Sequence, residues 1–284
     1  MNGELYICPT PIGNLEDITL RVLRILKEVD LIAAEDTRHT RRLLNHFDIS
    51  NKTISYHEHN KAKVGPQLID KLCAGENIAL VSDAGMPGIS DPGEDLVKLC
   101  IEHNIPFYVM PGASAVINAL VGSGLNTRKF SFEGFLDRNS KKKKERLDLI
   151  KDEDRTLVFY EAPHRIKETL KDIGKTLGER NIVVCRELTK KYEEFVRGSV
   201  SEVIQIFDEK DIRGEFVILV EGLDEKIVKE DEAWRSLSIL DHVISVMDAG
   251  SSKKDAMKSV AQLRKLPKKE VYKECLDIEA GYEE

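Results

Sequence analysis

The sequence is poor in aromatic residues and contains no long apolar run. Aromatic side chains make up 6% of its 284 residues, and only one of them is Trp. This composition argues against a surface built mainly on aromatic stacking to single-stranded nucleic acid. No apolar run approaches the roughly 18 residues that a membrane span requires, and the first residues lack the basic and apolar regions of a signal peptide. We therefore expect a cytoplasmic protein.

Cysteine is also sparse and scattered. The five cysteines are widely spaced, and no two of them form a CxxC pair. This spacing indicates neither a disulfide framework nor a zinc cluster, so buried thiols are expected. The run His57-Glu58-His59 lacks the HExxH spacing of a helical zinc site. The sequence therefore predicts no metal site.

Charge is acidic in total but uneven along the chain. The formal net charge is −7, from 43 Lys and Arg against 50 Asp and Glu. Residues 128–146 nevertheless hold eight basic and three acidic residues, and residues 251–273 hold eight and two. Such segments can steer an anionic macromolecule to the protein. Solvated loops and helix faces produce the same pattern, so both interpretations remain open.

Short β-rich runs alternate with helical patterns between Glu4 and Gly112, which is typical of an α/β domain with a mostly parallel sheet. Turn-forming residues after Val121 place a domain boundary near residue 120. Residues 121–224 then predict a second α/β domain with a partly antiparallel sheet. A charged linker over 224–232 and helical patterns beyond it predict a small helical appendage over 225–284.

Three loops rich in Gly and Pro follow predicted strands. They are PTPIGN at 9–14, SDAGMPGISDPG at 82–93 and PGASA at 111–115. Loops at the carboxyl edge of an open α/β sheet are where such folds bind ligands. The second loop favours ligand binding over a plain connection, whereas a tight turn and a helix cap at Ser114 remain alternatives for the others. None of them is GxGxxG, which disfavours NAD.

These loops, together with AEDTR at 34–38 and YEAPHR at 160–165, resemble the tetrapyrrole methylase superfamily. Within it, the combination is similar to the branch of ribosomal RNA small-subunit methyltransferases I, which 2′-O-methylate a decoding-site cytidine of 16S rRNA. The likeness covers about residues 4–222 and continues into the tail. SDAGMPGISDP stands where the tetrapyrrole enzymes have a GGDP-type string, and this departure favours the RNA branch.

The resemblance implies two α/β domains that bind S-adenosylmethionine in the cleft between them, usually in a homodimer. It also implies the small ribosomal subunit as the partner. The cofactor contacts that it implies are Pro11, Gly13, Asp83, Gly85, Met86, Pro87, Ser114 and Ala115, with Tyr160, Glu161, Glu215 and Phe216 from the second domain.

Polar residues after the second predicted strand are the candidates for chemistry. A ribose hydroxyl is a weak acid, so a nearby base would promote its attack on a methyl group. We hypothesise that Asp36 or Glu35 orients or deprotonates this hydroxyl while Arg38 grips an adjacent phosphate. The alternative is an N-cap at Asp36 or Thr37 with an internal Asp–Arg bridge.

Basic side chains near the loops and in the two basic segments are candidates for RNA contacts. They are Arg41, Arg42, His57, His59, Lys142, Lys143, His164, Arg165, Lys253, Lys254, Lys268 and Lys269. The helices of the tail could grip phosphates or dock a partner chain. Two other functions stay open: methylation of a tetrapyrrole or diphthine precursor, and a non-catalytic role in RNA-binding during ribosome assembly.

Overall fold

A computed structural model describes residues 2–210, 212–223, 237–248, 250–264 and 266–275. Its contacts divide the chain into two compact units, 1–222 and 223–284. The first unit contains two five-stranded sheets with their helices. This arrangement confirms the α/β class.

The first sheet has the strand order β3-β2-β4-β1-β5, and all of its neighbouring strands are parallel. Its elements are β1 (Leu5–Ile7), α1 (Leu20–Glu28), β2 (Leu31–Ala34), α2 (Thr37–His46), β3 (Thr53–Ser55), α3 (Lys61–Cys73), β4 (Ile78–Val81), α4 (Gly93–Glu102) and β5 (Phe107–Val109). Every residue of β2 and β4 is buried, as expected for central strands covered on both faces.

The second sheet has the order β6-β7-β10-β8-β9, in which only β6 and β7 pair in parallel. The partly antiparallel prediction is thus confirmed. Its elements are α5 (Ala115–Ser123), β6 (Phe130–Phe135), α6 (Ser140–Ile150), β7 (Thr156–Glu161), α7 (Ile166–Leu177), β8 (Asn181–Arg186), β9 (Glu194–Ser199), α8 (Val200–Glu209) and β10 (Phe216–Val220).

Helix α5 packs on the second sheet although it follows the last strand of the first. Val116 and Leu120 share a buried cluster with Val158, Val183 and Leu219 of that sheet. The predicted boundary near residue 120 falls inside this helix. A division of the first unit into two domains at that point therefore stays a prediction.

Two helices are difficult to predict from the sequence pattern. Helix α3 contains Gly65 and Pro66, a pair that normally signals a turn. Helix α8 follows β9 without a connecting loop, because Ser199 ends the strand and also caps the helix. Its hydroxyl and the Glu202 carboxylate form a reciprocal capping box, which satisfies the first free N–H groups of the helix.

The described part of the second unit is helical, as predicted. It contains α9 (Ile239–Asp248), α10 (Lys253–Leu263) and α11 (Lys268–Glu274) around a small core that includes Val243, Val260 and Val271. Ser252 caps α10 by accepting the Asp255 N–H at 3.2 Å. The predicted linker at 224–232 and the first residues of the helical patterns that follow it lie outside the described residues.

All five cysteines lie in the described ranges and are free. The expectation of buried thiols is correct for four of them and wrong for Cys73, which is exposed at the end of α3. Burial raises the pKa of Cys8 and Cys185 to about 12 and that of Cys100 to about 11.

The described residues include neither a membrane-spanning helix nor a candidate metal-binding cluster. No helix there is long and apolar enough to cross a membrane. The same residues contain no group of three or more His, Cys, Asp or Glu that could hold a metal ion.

Candidate functional site

A cavity of about 500 Å³ lies at the carboxyl ends of β2 and β4, between residues of the two sheets. The loop after β4 forms much of one wall, and the ends of β6 and β7, the start of β10 and the loop after β8 contribute to the other. The lining residues are Ile12, Glu35, Ser82, Asp83, Ala84, Gly85, Met86, Ile89, Ser90, Asp91, Ser114, Ala115, Phe135, Tyr160, Glu161, Ala162, Pro163, Leu188, Glu215, Phe216 and Val217.

The loop after β4 is folded around one carboxylate. Asp91 Oδ1 accepts the N–H groups of Gly88 and Gly93, both at 2.7 Å. A Cβ atom at Gly93 would lie 2.6 Å from the Gly88 nitrogen, so the two backbones approach too closely for a side chain there. Gly88 itself has a φ of 91°, which favours glycine. The density of Gly, Asp and Pro in this loop thus has a structural cause.

The loop after β1 is tied to the same region. Thr10 and Gly85 exchange backbone hydrogen bonds of 2.9 Å in both directions. Farther along, Asn14 N–H donates to Thr189 Oγ1 at 3.1 Å, and a Cβ atom at Gly13 would lie 2.8 Å from the Leu188 carbonyl oxygen. Gly13 therefore permits contact with the loop after β8, and it does not line the cavity.

One wall of the cavity is acidic. Glu35, Asp83 and Asp91 all line it. Burial, followed by the charge of Asp83, raises the pKa of Glu35 above its usual value, while His57 acts in the opposite direction. Burial also raises the pKa of Asp91, against the effect of its two backbone hydrogen bonds. A carboxyl group with a raised pKa is well suited to exchange protons near neutral pH.

Asp36 and Arg38 are placed differently from Glu35, and neither lines the cavity. Asp36 is the N-cap of α2, since its Oδ1 accepts the Arg38 N–H at 2.8 Å. Its carboxylate also binds the Arg38 guanidinium at 2.7 Å, which holds the Asp36 pKa well below its usual range. This geometry corresponds to the alternative of an N-cap with an internal ion pair.

The opposite wall carries aromatic and apolar side chains, including Tyr160 and Phe216, together with the carboxyl groups of Glu161 and Glu215. Burial raises the pKa of Tyr160 to about 12, so its hydroxyl stays protonated at neutral pH. Glu161 is buried beside it and accepts Thr169 Oγ1 at 2.6 Å and Ala162 N–H at 2.8 Å. These bonds hold the turn after β7 in place.

Nine of the twelve predicted cofactor residues line this cavity. They are Asp83, Gly85, Met86, Ser114, Ala115, Tyr160, Glu161, Glu215 and Phe216, whereas Pro11, Gly13 and Pro87 do not line it. The sequence interpretation missed several lining residues. Ser90 and Asp91 lie inside a motif that it had singled out, but no sequence signal marked Phe135.

A smaller cavity of about 180 Å³ adjoins the first and shares Ser82 and Asp83 with it. Pro11 lines it, together with His39 and Arg42 of α2. Helix α2 carries five basic or histidine residues and no acidic one. Arg41 and Arg42 are both exposed. The basic face of α2 thus lies beside the acidic wall.

The basic segment at 128–146 is largely neutralised by its own fold. Lys143 is buried, with its ammonium 2.6 Å from both Glu168 and Asp172 of α7. Arg146 donates to Glu133 at 2.8 Å. The prediction that Lys143 contacts RNA is wrong, because its buried ammonium is already bound by two carboxylates.

The prediction that Arg165 contacts RNA is wrong for a similar reason. Its side chain is mostly buried, donates to the Leu136 carbonyl at 2.7 Å and lies 3.5 Å from Glu161. Other candidates are accessible: His59, Lys142 and His164 are exposed, and His57 is half-buried. In the second unit, Lys254, Lys268 and Lys269 are exposed and Lys253 is half-buried.

The sequence profile of the Tetrapyrrole (Corrin/Porphyrin) Methylases matches residues 4–204. The chain belongs to this family. The resemblance inferred from the motifs is therefore confirmed. Most residues that line the cavity lie in the matched range, and Glu215, Phe216 and Val217 lie beyond it.

Two relatives of this methylase carry the name Ribosomal RNA small subunit methyltransferase I. The protein from Halalkalibacterium halodurans is 52% identical over 270 residues, which cover 95% of this chain and 93% of the relative. The protein from Bacillus subtilis is 49% identical over 271 residues, with the same two shares.

Solved structures with low sequence identity share the methylase fold. Uroporphyrin-III C-methyl transferase from Thermus thermophilus, complexed with S-adenyl homocysteine, has a TM-score of 0.55 at 19% identity and covers 79% of this chain and 100% of its own. Diphthine synthase has a TM-score of 0.58 at 13% identity, covering 77% and 90%.

Proposed function

We propose that this methylase transfers a methyl group from S-adenosylmethionine to ribosomal RNA of the small ribosomal subunit. The observation that carries the proposal is the likeness, at 52% and 49% identity over nearly the whole chain, to proteins of that name. We further propose that the product is a 2′-O-methylated decoding-site cytidine of 16S rRNA. The proposal includes action in the cytoplasm and a homodimer, which the family resemblance implies.

The larger cavity fits the cofactor in size and chemistry. Its volume of about 500 Å³ lies within the range of roughly 300–1,000 Å³ found for small-molecule sites. When bound, S-adenosylmethionine supplies an electrophilic methyl group on a positively charged sulfur. The acidic wall suits such a cation. The apolar wall around Tyr160 and Val217 suits a planar heterocycle, and the backbone at Ser114 and Ala115 offers polar contacts.

Methyl transfer needs an acceptor oxygen held in line with the methyl carbon, at roughly 3–3.5 Å. We assign the acceptor's proton to Glu35, because Glu35 lines the cavity and its pKa is raised towards neutrality. The Asp36 carboxylate already caps α2 by accepting the Arg38 N–H, and it also pairs with the Arg38 guanidinium. Glu35 thus becomes the proposed base, and Asp83 fixes the chain next to it by accepting the Asp36 N–H at 3.0 Å.

The RNA backbone is assigned to the basic face of α2. Arg42 and His39 line the smaller cavity, which shares Asp83 with the larger one. A phosphate held there would lie next to a ribose at the acidic wall. Among the described residues no acidic partner engages Arg41 or Arg42, so both remain available to phosphate oxygens. Lys253, Lys254, Lys268 and Lys269 of the tail stay candidates for further contacts.

Incubation of the purified protein with methyl-labelled S-adenosylmethionine tests this function. Parallel samples contain unmodified small ribosomal subunits, naked ribosomal RNA and a tetrapyrrole precursor. We expect alkali-stable label in one ribose of the subunit sample. Label in the tetrapyrrole would contradict the proposal. Protection of RNA without methyl incorporation would favour a non-catalytic assembly factor instead.

A further inference from the structure

Strand β6 contains a bulge where it reaches the larger cavity. Phe132 pairs with Val158, Gly134 with Phe159 and Phe135 with Tyr160, so that Glu133 is an extra residue in this strand. Gly134 has a φ of 66°, a conformation that favours glycine. The register shift is therefore built into the backbone at this position.

The bulge brings two aromatic rings to one face of the sheet. Residues three apart in a regular strand point to opposite faces, but the extra residue places Phe132 and Phe135 on the same face. Both rings contact Tyr160, with centroid distances of 4.9 and 5.5 Å. Phe132 packs against the buried cluster under α5. Phe135, in contrast, lines the cavity and remains 54% exposed.

The extra residue is itself firmly held. Glu133 accepts Ser131 Oγ at 2.7 Å and Arg146 Nε at 2.8 Å, and its side chain is only 2% exposed. Polar contacts thus fix the bulge on one side of the strand, and the Tyr160 ring supports it on the other. Bulges commonly redirect a side chain next to a site, and this one directs Phe135 to the cavity.

Phe135 shares the edge of the cavity with another exposed apolar side chain. Ile89, from the loop after β4, lines the same cavity and is 44% exposed. Exposed apolar groups gathered at a cavity are characteristic of ligand contacts. An exposed phenylalanine ring offers a flat surface, and planar nucleobases stack on such rings without regard to sequence.

We propose that Phe135 forms a subsite that stacks the nucleobase of the acceptor nucleotide. This inference rests on the proposed function and deepens it. The acceptor base is favoured over the cofactor's adenine because Phe135 is half open to solvent, where a long RNA strand can enter. Tyr160 and Phe216 are less exposed and enclose the inner part of the apolar wall. Phe135 holds the base while Glu35 faces the ribose hydroxyl.

Replacement of the ring tests the subsite directly. Phe135→Ala should raise the KM for unmodified small subunits about 5-fold to 150-fold, the range expected for one base stack. It should leave the Kd for S-adenosylhomocysteine unchanged, and Phe135→Tyr should restore the KM. Phe130→Ala is the matched control, since Phe130 begins the same strand and does not line the cavity.

Three results in this series would overturn the inference. One is an equal rise in KM for Phe130→Ala, which would indicate a general defect of the strand. Another is a weaker Kd for S-adenosylhomocysteine with an unchanged KM, which would assign the ring to the cofactor. The third is failure of Phe135→Tyr to restore the KM.

A spectroscopic test separates the subsite from turnover. The sequence has one tryptophan, so Phe135→Trp in a Trp234→Phe background places the only indole in the subsite. Cytidine monophosphate should quench its fluorescence, whereas ribose 5-phosphate should not. Equal effects of the two ligands, or none from either, would overturn the inference. Failure of the wild-type protein to methylate RNA would contradict the proposed function but would leave this quenching measurable.

Discussion

The two sheets of the first unit contribute opposite chemistry to one cavity. The first sheet places three carboxylates there, on Glu35, Asp83 and Asp91, and its helix α2 adds exposed arginines nearby. The second sheet contributes the aromatic rings, among them Phe135 and Tyr160, and further apolar groups, beside the carboxyl groups of Glu161 and Glu215. The cavity of the methylase thus has a polar wall from the first sheet and a wall with aromatic rings from the second.

The charged residues of the second sheet's helices are used differently from those of α2. The ammonium of Lys143 lies between two carboxylates of α7, whereas within the described ranges Arg41 and Arg42 of α2 have no acidic partner. A basic residue is therefore neutralised inside the fold at Lys143 and remains on an accessible surface at Arg41 and Arg42. The availability of a charge depends on which acids the fold brings to it.

The largest expected effect belongs to the polar half. Glu35→Gln removes the proposed base without changing the shape of the side chain, so kcat should fall about 100-fold to 10,000-fold. The Kd for S-adenosylhomocysteine, measured by calorimetry, should change little. Asp36→Asn is the neighbouring control and should retain most of the activity. A larger loss of kcat for Asp36→Asn than for Glu35→Gln would assign the catalytic role to Asp36 instead.

The exposed arginines of α2 give the next effect. Arg41→Ala and Arg42→Ala should each reduce the dependence of RNA affinity on salt by about one unit of the log–log slope. Lys142→Ala, on α6, should reduce it less, because that ammonium lies 3.9 Å from Asp137. Binding of labelled ribosomal RNA at several salt concentrations measures the slope. Identical slopes for all three variants would contradict the inferred difference in phosphate contacts between α2 and α6.

Substitutions in the aromatic wall should lower the free energy of unfolding. Tyr160→Leu loses ring contacts to Phe132 and Phe135, which should lower the free energy of unfolding by about 1–3 kcal/mol. Tyr160→Phe keeps both ring contacts and loses only the hydroxyl, so its cost should be smaller, about 1 kcal/mol or less. Urea denaturation compares them. A greater loss for the phenylalanine variant would mean that the hydroxyl, not the ring, supports this wall.

A pH profile gives the smallest and most specific effect. A base is active when deprotonated, so kcat/KM should fall as the pH drops through the raised pKa of Glu35. Asp83→Asn keeps an oxygen for the Asp36 N–H but removes the negative charge that raises this pKa. The acidic limb of the profile should then move to lower pH. Movement to higher pH would contradict the assigned coupling between the two carboxyl groups.

The sequence predicted the strands and singled out loops whose residues line the larger cavity, and it did so for local reasons. Buried runs such as 31–34 and 78–81 carry an apolar signal, and the loop at 82–93 is marked by residues that its backbone requires. Gly88 and Gly93, for example, are needed where two backbones meet. Features encoded within one short segment were therefore accessible without a structure.

Features that depend on residues far apart in the chain could not be predicted from the sequence. Phe135 reaches the cavity only because β6 pairs with β7 in a shifted register. The acids that neutralise Lys143 lie on a different helix, so a local sum of charges counted it as free. The packing of α5 on the second sheet likewise depends on contacts with distant strands. In each case the missing information was tertiary contact.

The reactivity of the five thiols can report the unfolding of the protein. In the native fold only Cys73 is open to a thiol reagent, whereas Cys8, Cys100 and Cys185 are buried in the first unit and Cys275 in the second. A maleimide label on Cys73 would mark the folded chain at a single position. The later reaction of Cys275, timed against that of the other three, would reveal whether the helical tail opens independently of the methylase core.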